Sequence, residues 1–184
     1  MKGARASVEV QVAGLTIDPF TNMPIVVLRD LAGKHSVPIW IGLVEASAIA
    51  TQLENIKLAR PMTHDLMTQL MEQVGATLDR IEVTELREET FFANLYITFG
   101  KQALVFDARP SDAIALALRT GAKIYVAPDV IDQAKLAEQK ADLPGDKPAP
   151  DRSGPGALLA GQPPAKWAEI LESLSPEDFG KFKM

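Results

Sequence analysis

The chain has 184 residues, 47% of them hydrophobic, a size that suits one ordinary core with a small appendage. It has no cysteine, which excludes disulfides and thiolate metal sites. Nineteen basic residues against 24 acidic ones give a net charge of −5, whereas proteins that hold duplex nucleic acid by its phosphates usually show a basic surface. Tight, nonspecific duplex binding is therefore not expected.

The sequence contains no sign of membrane insertion or export. An uninterrupted apolar run of about 18 residues, the minimum for a spanning helix, occurs nowhere. The first seven residues include basic side chains, but no apolar run follows them, so they do not form a signal peptide. We therefore expect a cytoplasmic protein that does not contact a membrane.

The first half of the chain changes its hydrophobic period once. Apolar and polar residues alternate over 8–12, and residues 25–28 and 37–41 add two further strands, so an antiparallel meander is predicted. Over 43–58 the period becomes helical. A second helix is predicted with Thr63 as its N-cap and Gly75 as its end.

The second half returns to period two and then alternates. Strands are predicted over 78–86, 91–99 and 103–106, followed by a helix from Pro110 to Arg119, a strand over 124–126 and a helix from Pro128 to about residue 140. Because strands and helices come in mixed runs, we predict an α+β fold. It would be a single domain over residues 5–140, with one mixed, largely antiparallel β-sheet packed by several helices.

Residues 141–165 differ sharply from the domain and predict a flexible linker. Positions 142–164 alone hold six prolines and four glycines. Residues 166–184 form a short C-terminal helical segment, with Trp167, Ile170, Leu171 and Leu174 on one face. That apolar face is expected to dock on its own domain or on a sister subunit.

Two strings of the sequence place charged residues where a helix begins. They are residues 60–66, RPMTHDL, and residues 107–119, DARPSDAIALALR. In the second string, Pro110 suits a first helical position and Asp112 falls in the first turn, where the helix dipole favours negative charge. Carboxylates, arginines and an imidazole at two helix starts are the side chains that could bind a phosphate or a metal ion.

Together with PIWIG at 38–42 and EASAIA at 45–50, these strings make the chain resemble the bifunctional nuclease domain family. The resemblance runs from about residue 8 to about residue 130. It implies cleavage of phosphodiester bonds in DNA and RNA, but it brings no settled catalytic set. The role of each residue therefore has to be argued singly.

Two residues of the first string are candidates for catalysis. His64 would sit in the first turn of a helix, where the dipole disfavours the protonated imidazole and so suits a neutral base or ligand. Asp65 lies beside it. The alternative reading is structural: His64 binds a loop carbonyl, and Asp65 complements the helix terminus.

Three carboxylates are candidates for binding Mg²⁺ or Mn²⁺, because hard oxygens hold these ions and metal-assisted phosphodiester cleavage needs such ligands. Asp107 and Asp112 flank the start of one helix, and Glu45 lies at the start of another. The alternative is a local cap network in which Arg109 pairs with one of the aspartates.

Two arginines are candidates for binding phosphate. Arg60 and Arg109 each precede a proline, which favours an extended backbone and places the guanidinium off the helix. Either could clamp a phosphate and stabilise the charge that builds on it, so Arg109 is also a catalytic candidate. The alternative is a buried tie between an arginine and a carboxylate that joins the two motifs.

The sequence thus supports two functions. The first is a metal-assisted nuclease that binds nucleic acid weakly, as single strands, and cleaves RNA, DNA or both. The second is a non-enzymatic, oligomeric binding or regulatory module whose charged motifs only fix helix ends. In either case the apolar excess and the Val- and Ile-rich edge strands favour a homo-oligomer, at least a dimer.

Overall fold

Strands and helices alternate irregularly along residues 6–18 and 20–141, the part of the chain that this computed structural model describes. The strands are β1 (Val8–Ile17), β2 (Pro24–Asp30), β3 (Ser36–Trp40), β4 (Ala76–Arg87), β5 (Thr90–Phe99), β6 (Gln102–Ala108) and β7 (Lys123–Val126). The helices are α1 (Leu43–Leu53), α2 (Thr63–Val74), α3 (Pro110–Thr120) and α4 (Pro128–Ala141).

The strands form one seven-stranded sheet in the order β3-β2-β1-β7-β4-β5-β6. Two antiparallel meanders, β1 to β3 and β4 to β6, flank the short strand β7. Strand β7 is antiparallel to β1 and parallel to β4, which makes the sheet mixed. The predicted α+β class, with a mixed and largely antiparallel sheet, is confirmed.

The core lies between the sheet and helix α3. Val26, Leu28 and Ile81 of the sheet are fully buried against a cluster that includes Ile49 of α1 and Ile114 of α3. From its first residue, Pro110, to its eighth, α3 is buried at every position except Asp112. Its alternating alanines are small, so α1 and α2 both pack closely on it.

The sheet is strongly curled. Strands β3 and β6 are its two edges, and six spacings of about 4.8 Å would hold them roughly 29 Å apart in a flat sheet. Yet Arg109, the residue that follows β6, donates a hydrogen bond of 2.8 Å to Glu45 of α1, the helix that follows β3. The curl therefore brings together the two helices that leave opposite edges.

Helix α1 ends five residues before the predicted boundary at residue 58. Asn55 takes a left-handed φ of 53°, its N–H binds the carbonyl of Gln52, and the N–H of Ile56 binds the carbonyl of Thr51. These two bonds form a Schellman motif, which satisfies the last carbonyls of the helix and turns the chain away. The predicted extension of the helix to residue 58 was wrong for this reason.

Two details at the motif helices also differ from expectation. Met62, not Thr63, is the N-cap of α2, and the Asp65 carboxylate accepts the Met62 N–H at 2.8 Å. Strand β6 continues through Ala108, so Asp107 lies in a strand and not in a loop. It pairs there with Asn94 because the antiparallel ladder with β5 runs on to the end of β6.

Ala141 is the last residue of α4, and residues 142–184, which include nearly all of the predicted linker at 141–165 and the predicted C-terminal segment with Trp167, lie outside the described residues. Within the described part, no helix is long and apolar enough to cross a membrane.

Helix α2 turns apolar side chains outward. Leu66, Leu70 and Val74 are 51%, 56% and 60% exposed, and among its residues only Thr68 is fully buried. The sheet also leaves β6 as an edge strand, whereas Pro38 interrupts the donors of the other edge, β3. An outward apolar helix face beside an open edge is typical of a subunit interface.

We therefore expect the chain to form at least a dimer that covers this face of α2. The double variant Leu66→Lys/Leu70→Lys should sediment as a 19.9 kDa monomer at micromolar concentration, while the wild type does not. Leu31→Lys is the matched control, because Leu31 is equally exposed, at 65%, but lies in the turn after β2. A wild-type chain that sediments as a monomer would contradict the expectation.

Candidate functional site

Four charged or polar side chains form a continuous network at the starts of α1, α2 and α3. His64 Nε2 lies 3.1 Å from Asp112 Oδ1, and Arg109 Nε donates to Asp112 Oδ2 at 2.7 Å. The two terminal nitrogens of Arg109 donate as well: Nη2 to Asp112 Oδ1 at 3.2 Å, and Nη1 to Glu45 Oε1 at 2.8 Å. We call His64, Asp112, Arg109 and Glu45 the four-residue network.

Position within each helix explains why these side chains meet. Glu45 and Asp112 are each the third residue of their helix, and His64 is the second residue of α2. First-turn N–H groups have no partner within the helix, and the dipole there favours negative charge. Arg109 is the N-cap of α3, with the extended backbone that the following Pro110 imposes, as predicted.

Asp112 fixes the proton on the His64 ring. Partial burial acts to raise the pKa of Asp112, but the hydrogen bonds from Arg109 and His64, with their charges, outweigh it and hold that pKa below its ordinary value. An ionised carboxylate can only accept, so Nε2 of His64 must donate. The other ring nitrogen, Nδ1, then carries the lone pair, and it makes no hydrogen bond with the described part of the chain.

Arg109 combines pairing with exposure. Its hydrogen bond to Asp112 is the main reason that its pKa is raised, and Glu45 adds to the effect. Its side chain is nevertheless 65% exposed. Three of the five N–H groups of a guanidinium are used within the network. The remaining two are available to an anion.

All four residues of the network line an open cleft of about 730 Å³. The cleft runs between α2 and the outer strands β5 and β6, with α1 and α3 as its floor. Its walls are mostly apolar: Val44, Met62, Met67, Met71, Leu95, Ile97, Phe106 and Leu116. The apolar walls therefore partly shield the network from water. Electrostatic interactions are stronger in such surroundings than in bulk solvent.

Asp107 lines the same cleft but does not join the network. It is exposed, and its side chain makes no hydrogen bond or ion pair with the described residues. With His64 neutral, the lining of the cleft has a formal charge of −2, because it contains three carboxylates and one guanidinium: Glu45, Asp107, Asp112 and Arg109. The cleft itself is thus acidic.

The described residues contain no group of three or more His, Asp or Glu side chains arranged to hold a metal ion. Both oxygens of Asp112 and one oxygen of Glu45 already accept N–H groups of the network. These two carboxylates are therefore poorly suited to ligate a cation as they stand. Asp107 is the carboxylate of the cleft lining whose side chain has no such partner among the described residues.

Asp65 and Arg60 lie outside the cleft. Asp65 pairs with Arg119 of α3, Nε to Oδ1, at 2.5 Å, and Arg60 lines a separate cavity of about 220 Å³ with both of them. Adjacent residues on a helix do not face the same way, so His64 and Asp65 leave α2 in different directions. The structure thus separates Arg60 from Arg109 and Asp65 from His64.

Arg119 was not among the candidate site residues, yet it joins three helices. Its side chain is only 6% exposed, and besides Asp65 it donates to the carbonyl of Ala48 in α1 and to that of Ala115 in its own helix. A buried tie between an arginine and a carboxylate was the alternative role for Arg60 and Arg109. The structure contains such a tie, but Arg119 makes it. An arginine that ends an otherwise apolar helix was the available signal.

The exposed aromatic residues do not belong to the network. Trp40 is 49% exposed rather than part of the core, and its Nε1 donates to Asp18 Oδ2 at 3.0 Å. Tyr96 lies on a surface of the sheet beneath the guanidinium of Arg80, 3.7 Å from the ring centre.

Comparison with known proteins agrees with this domain. A model of the bifunctional nuclease domain matches residues 26–139. The chain belongs to the bifunctional nuclease domain family. An uncharacterized protein of Mycobacterium tuberculosis is 38% identical over 173 residues, which cover 93% of this chain and 97% of that protein.

Plant relatives share the domain at greater distance. Bifunctional nuclease 2 of Arabidopsis thaliana is 29% identical over 114 residues, and Bifunctional nuclease 2 of Oryza sativa subsp. japonica is 26% identical over 117. These matches cover 56% and 61% of this chain but only 35% and 36% of the plant proteins. The range that the family model matches, residues 26–139, contains all four residues of the network.

The tie between Asp65 and Arg119 makes a prediction about stability and pH. Partial burial acts to raise the pKa of Asp65, but the hydrogen bonds from Arg119 and the Met62 N–H hold it below its ordinary value. The pair therefore stabilises the fold fully above the unfolded-state pKa of about 3.9 and less as the pH falls through the lower folded-state value.

Asp65→Asn should lower the free energy of unfolding by about 2 kcal/mol at pH 7, because it leaves a buried guanidinium without its partner. It should also weaken the loss of stability below about pH 4. Urea unfolding at several pH values measures both. Glu72→Gln is the control on the same helix, because Glu72 is exposed and its side chain makes no hydrogen bond or ion pair with the described residues; equal effects of the two variants would refute the role of Asp65.

Proposed function

We propose that this domain hydrolyses phosphodiester bonds of nucleic acid at the four-residue network. The observation that carries the proposal is the pair of Asp112 and His64 at 3.1 Å, in the lining of a cleft, with Nδ1 of the imidazole making no hydrogen bond with the described residues. A carboxylate that orients a neutral imidazole is the usual construction of a general base. The names of the plant relatives and of the family support the same reaction class.

The residues would divide the reaction as follows. His64 Nδ1 accepts a proton from a water molecule, whose oxygen then forms the new bond to phosphorus. The bond from phosphorus to the leaving ester oxygen breaks, and that oxygen takes up a proton from solvent water, while His64 later returns its own proton to solvent. The free N–H groups of Arg109 stabilise the charge that builds on the phosphate. Asp112 stabilises the imidazolium that His64 becomes, and Glu45 holds Arg109 in place.

Mg²⁺ or Mn²⁺ dependence remains part of the proposal. A phosphate entering a cleft of charge −2 would be repelled unless a divalent cation offset the carboxylates. Mg²⁺ keeps several waters and commonly binds through one or two carboxylates together with the substrate phosphate. Asp107 is the residue that would hold it, and the ion would supply neutralisation of charge on the phosphate oxygens.

One observation supports a second candidate, a non-enzymatic binding or regulatory module. Arg109 pairs with both Asp112 and Glu45, as it would in a network that only fixes helix starts. The acidic balance of the whole chain points the same way. In that case the four-residue network contributes stability, and cleavage is not observed under any condition.

A purified-protein assay on single-stranded RNA and DNA, with Mn²⁺ or Mg²⁺ and with EDTA, separates the two candidates. We expect cleavage that EDTA abolishes and that Asp107→Asn removes. Asp107 is exposed and unpaired among the described residues, so this variant should melt within a few degrees of the wild type. Wild-type protein that never cleaves would support the binding module instead.

The base is tested by a second pair of variants. His64→Gln should lower the cleavage rate by roughly 10²- to 10⁴-fold, the usual contribution of a general base. Asp112→Asn should also lower the rate, because an amide no longer requires Nε2 to carry the proton. Glu72→Gln should cleave at the wild-type rate. Unchanged rates in His64→Gln would remove the imidazole from the mechanism.

A further inference from the structure

The residues that line the cleft fall into two chemically different sets. One set is the four-residue network with Asp107. The other set, the apolar half of the lining, consists of thioethers, aliphatic side chains and one aromatic ring: Met62, Met67, Met71, Leu95, Ile97 and Phe106. Phe106 is 49% exposed and Met67 is 41% exposed, so both offer surface to a ligand. A ligand that fills the cleft needs a flat apolar body next to its charged group.

We propose that the apolar half of the cleft binds an unstacked base of a single-stranded nucleic acid, with the adjoining phosphate at Arg109. The proposal rests on the proposed function and names the form of its substrate. A base within a duplex is covered on both faces by its neighbours, so only a base outside the stack can lie against Phe106 and the methionines. Methionine sulfur adds a favourable contact with aromatic rings.

Size and charge limit the bound segment to very few nucleotides. A volume of about 730 Å³ lies in the range of pockets for small ligands. Arg109 is the single basic residue among those that line this cleft. Each neutralised phosphate of a single strand contributes about −0.7 to the slope of log affinity against log salt, so the slope should stay near −1. Affinity should stop rising once the strand exceeds a few nucleotides.

Base identity should matter little. Stacking uses the faces that all bases share, and it tolerates changes of sequence. The apolar walls carry no side-chain amide that could read the edge of a base. Adenine- and thymine-containing strands should therefore bind within a few-fold of each other.

Calorimetric titration of the full-length protein with 5′-phosphorylated dithymidine phosphorothioate, in the presence of Mn²⁺, tests the proposal. Phe106→Ala should weaken binding roughly 5- to 100-fold, the range of one base stacked on an aromatic side chain. Val105→Ala is the matched control. Val105 is the neighbouring residue of β6, is 57% exposed, and does not line the cleft. It should bind like the wild type.

Phe106→Leu keeps an apolar side chain without the ring and should fall between the wild type and Phe106→Ala. Equal affinity of Phe106→Ala and Val105→Ala would overturn the proposal, as would a hairpin duplex that binds as tightly as the single strand. Cleavage is measured separately. Binding that follows these expectations without any cleavage contradicts the proposed function alone, whereas cleavage with no effect of Phe106→Ala on binding contradicts the base site alone.

Discussion

The start of α3 is the point on which the fold and the candidate site both depend. This helix is buried along nearly its whole length, so its first turn has little freedom to move. Arg109 and Asp112 at that turn are three residues apart, close enough to pair with each other and still reach other helices. One pair thereby fixes α1 through Glu45 and α2 through His64. The side chains of the network are held by packing of the backbone more than by their own contacts.

The architecture repeats this arrangement. Each half of the sheet is a three-stranded meander that ends in an edge strand and passes into a helix, β3 into α1 and β6 into α3. Each of these helices carries a carboxylate as its third residue, Glu45 and Asp112. Curling of the sheet brings the two starts together, and Arg109 neutralises part of the charge that results. Two helix starts from opposite edges thus become one site.

Local features of the fold followed from the sequence, and features between distant residues did not. The α3 start was predicted because Pro110 and Asp112 act on their own helix, and the end of α2 followed from Gly75. The end of α1 was missed because Asn55 had to be recognised as a residue in the left-handed conformation. Asparagine tolerates that conformation, but nothing local demands it.

Which residues of the site pair with each other could not be predicted from the sequence for the same reason. His64 and Asp112 are 48 positions apart, and only the packing of α2 on α3 makes them partners. By contrast, the separation of His64 from Asp65 could have been anticipated, since neighbouring residues on a helix point about 100° apart. Arg119 was taken as the end of an apolar helix, where a basic residue is ordinary. Its role appears only when Asp65 and the Ala48 carbonyl are placed beside it.

The two arginine networks differ in how far they are buried. Arg119 is buried, and its hydrogen bonds go to groups of the protein that join α1, α2 and α3. Arg109 makes hydrogen bonds of similar length, but its side chain is 65% exposed. A buried ion pair costs desolvation, so its value lies in fixing one arrangement of the helices. Because Arg119 ties α1, α2 and α3 together, the proposed exchange of part of the pairing of Arg109 for a phosphate would leave these contacts between the helices in place.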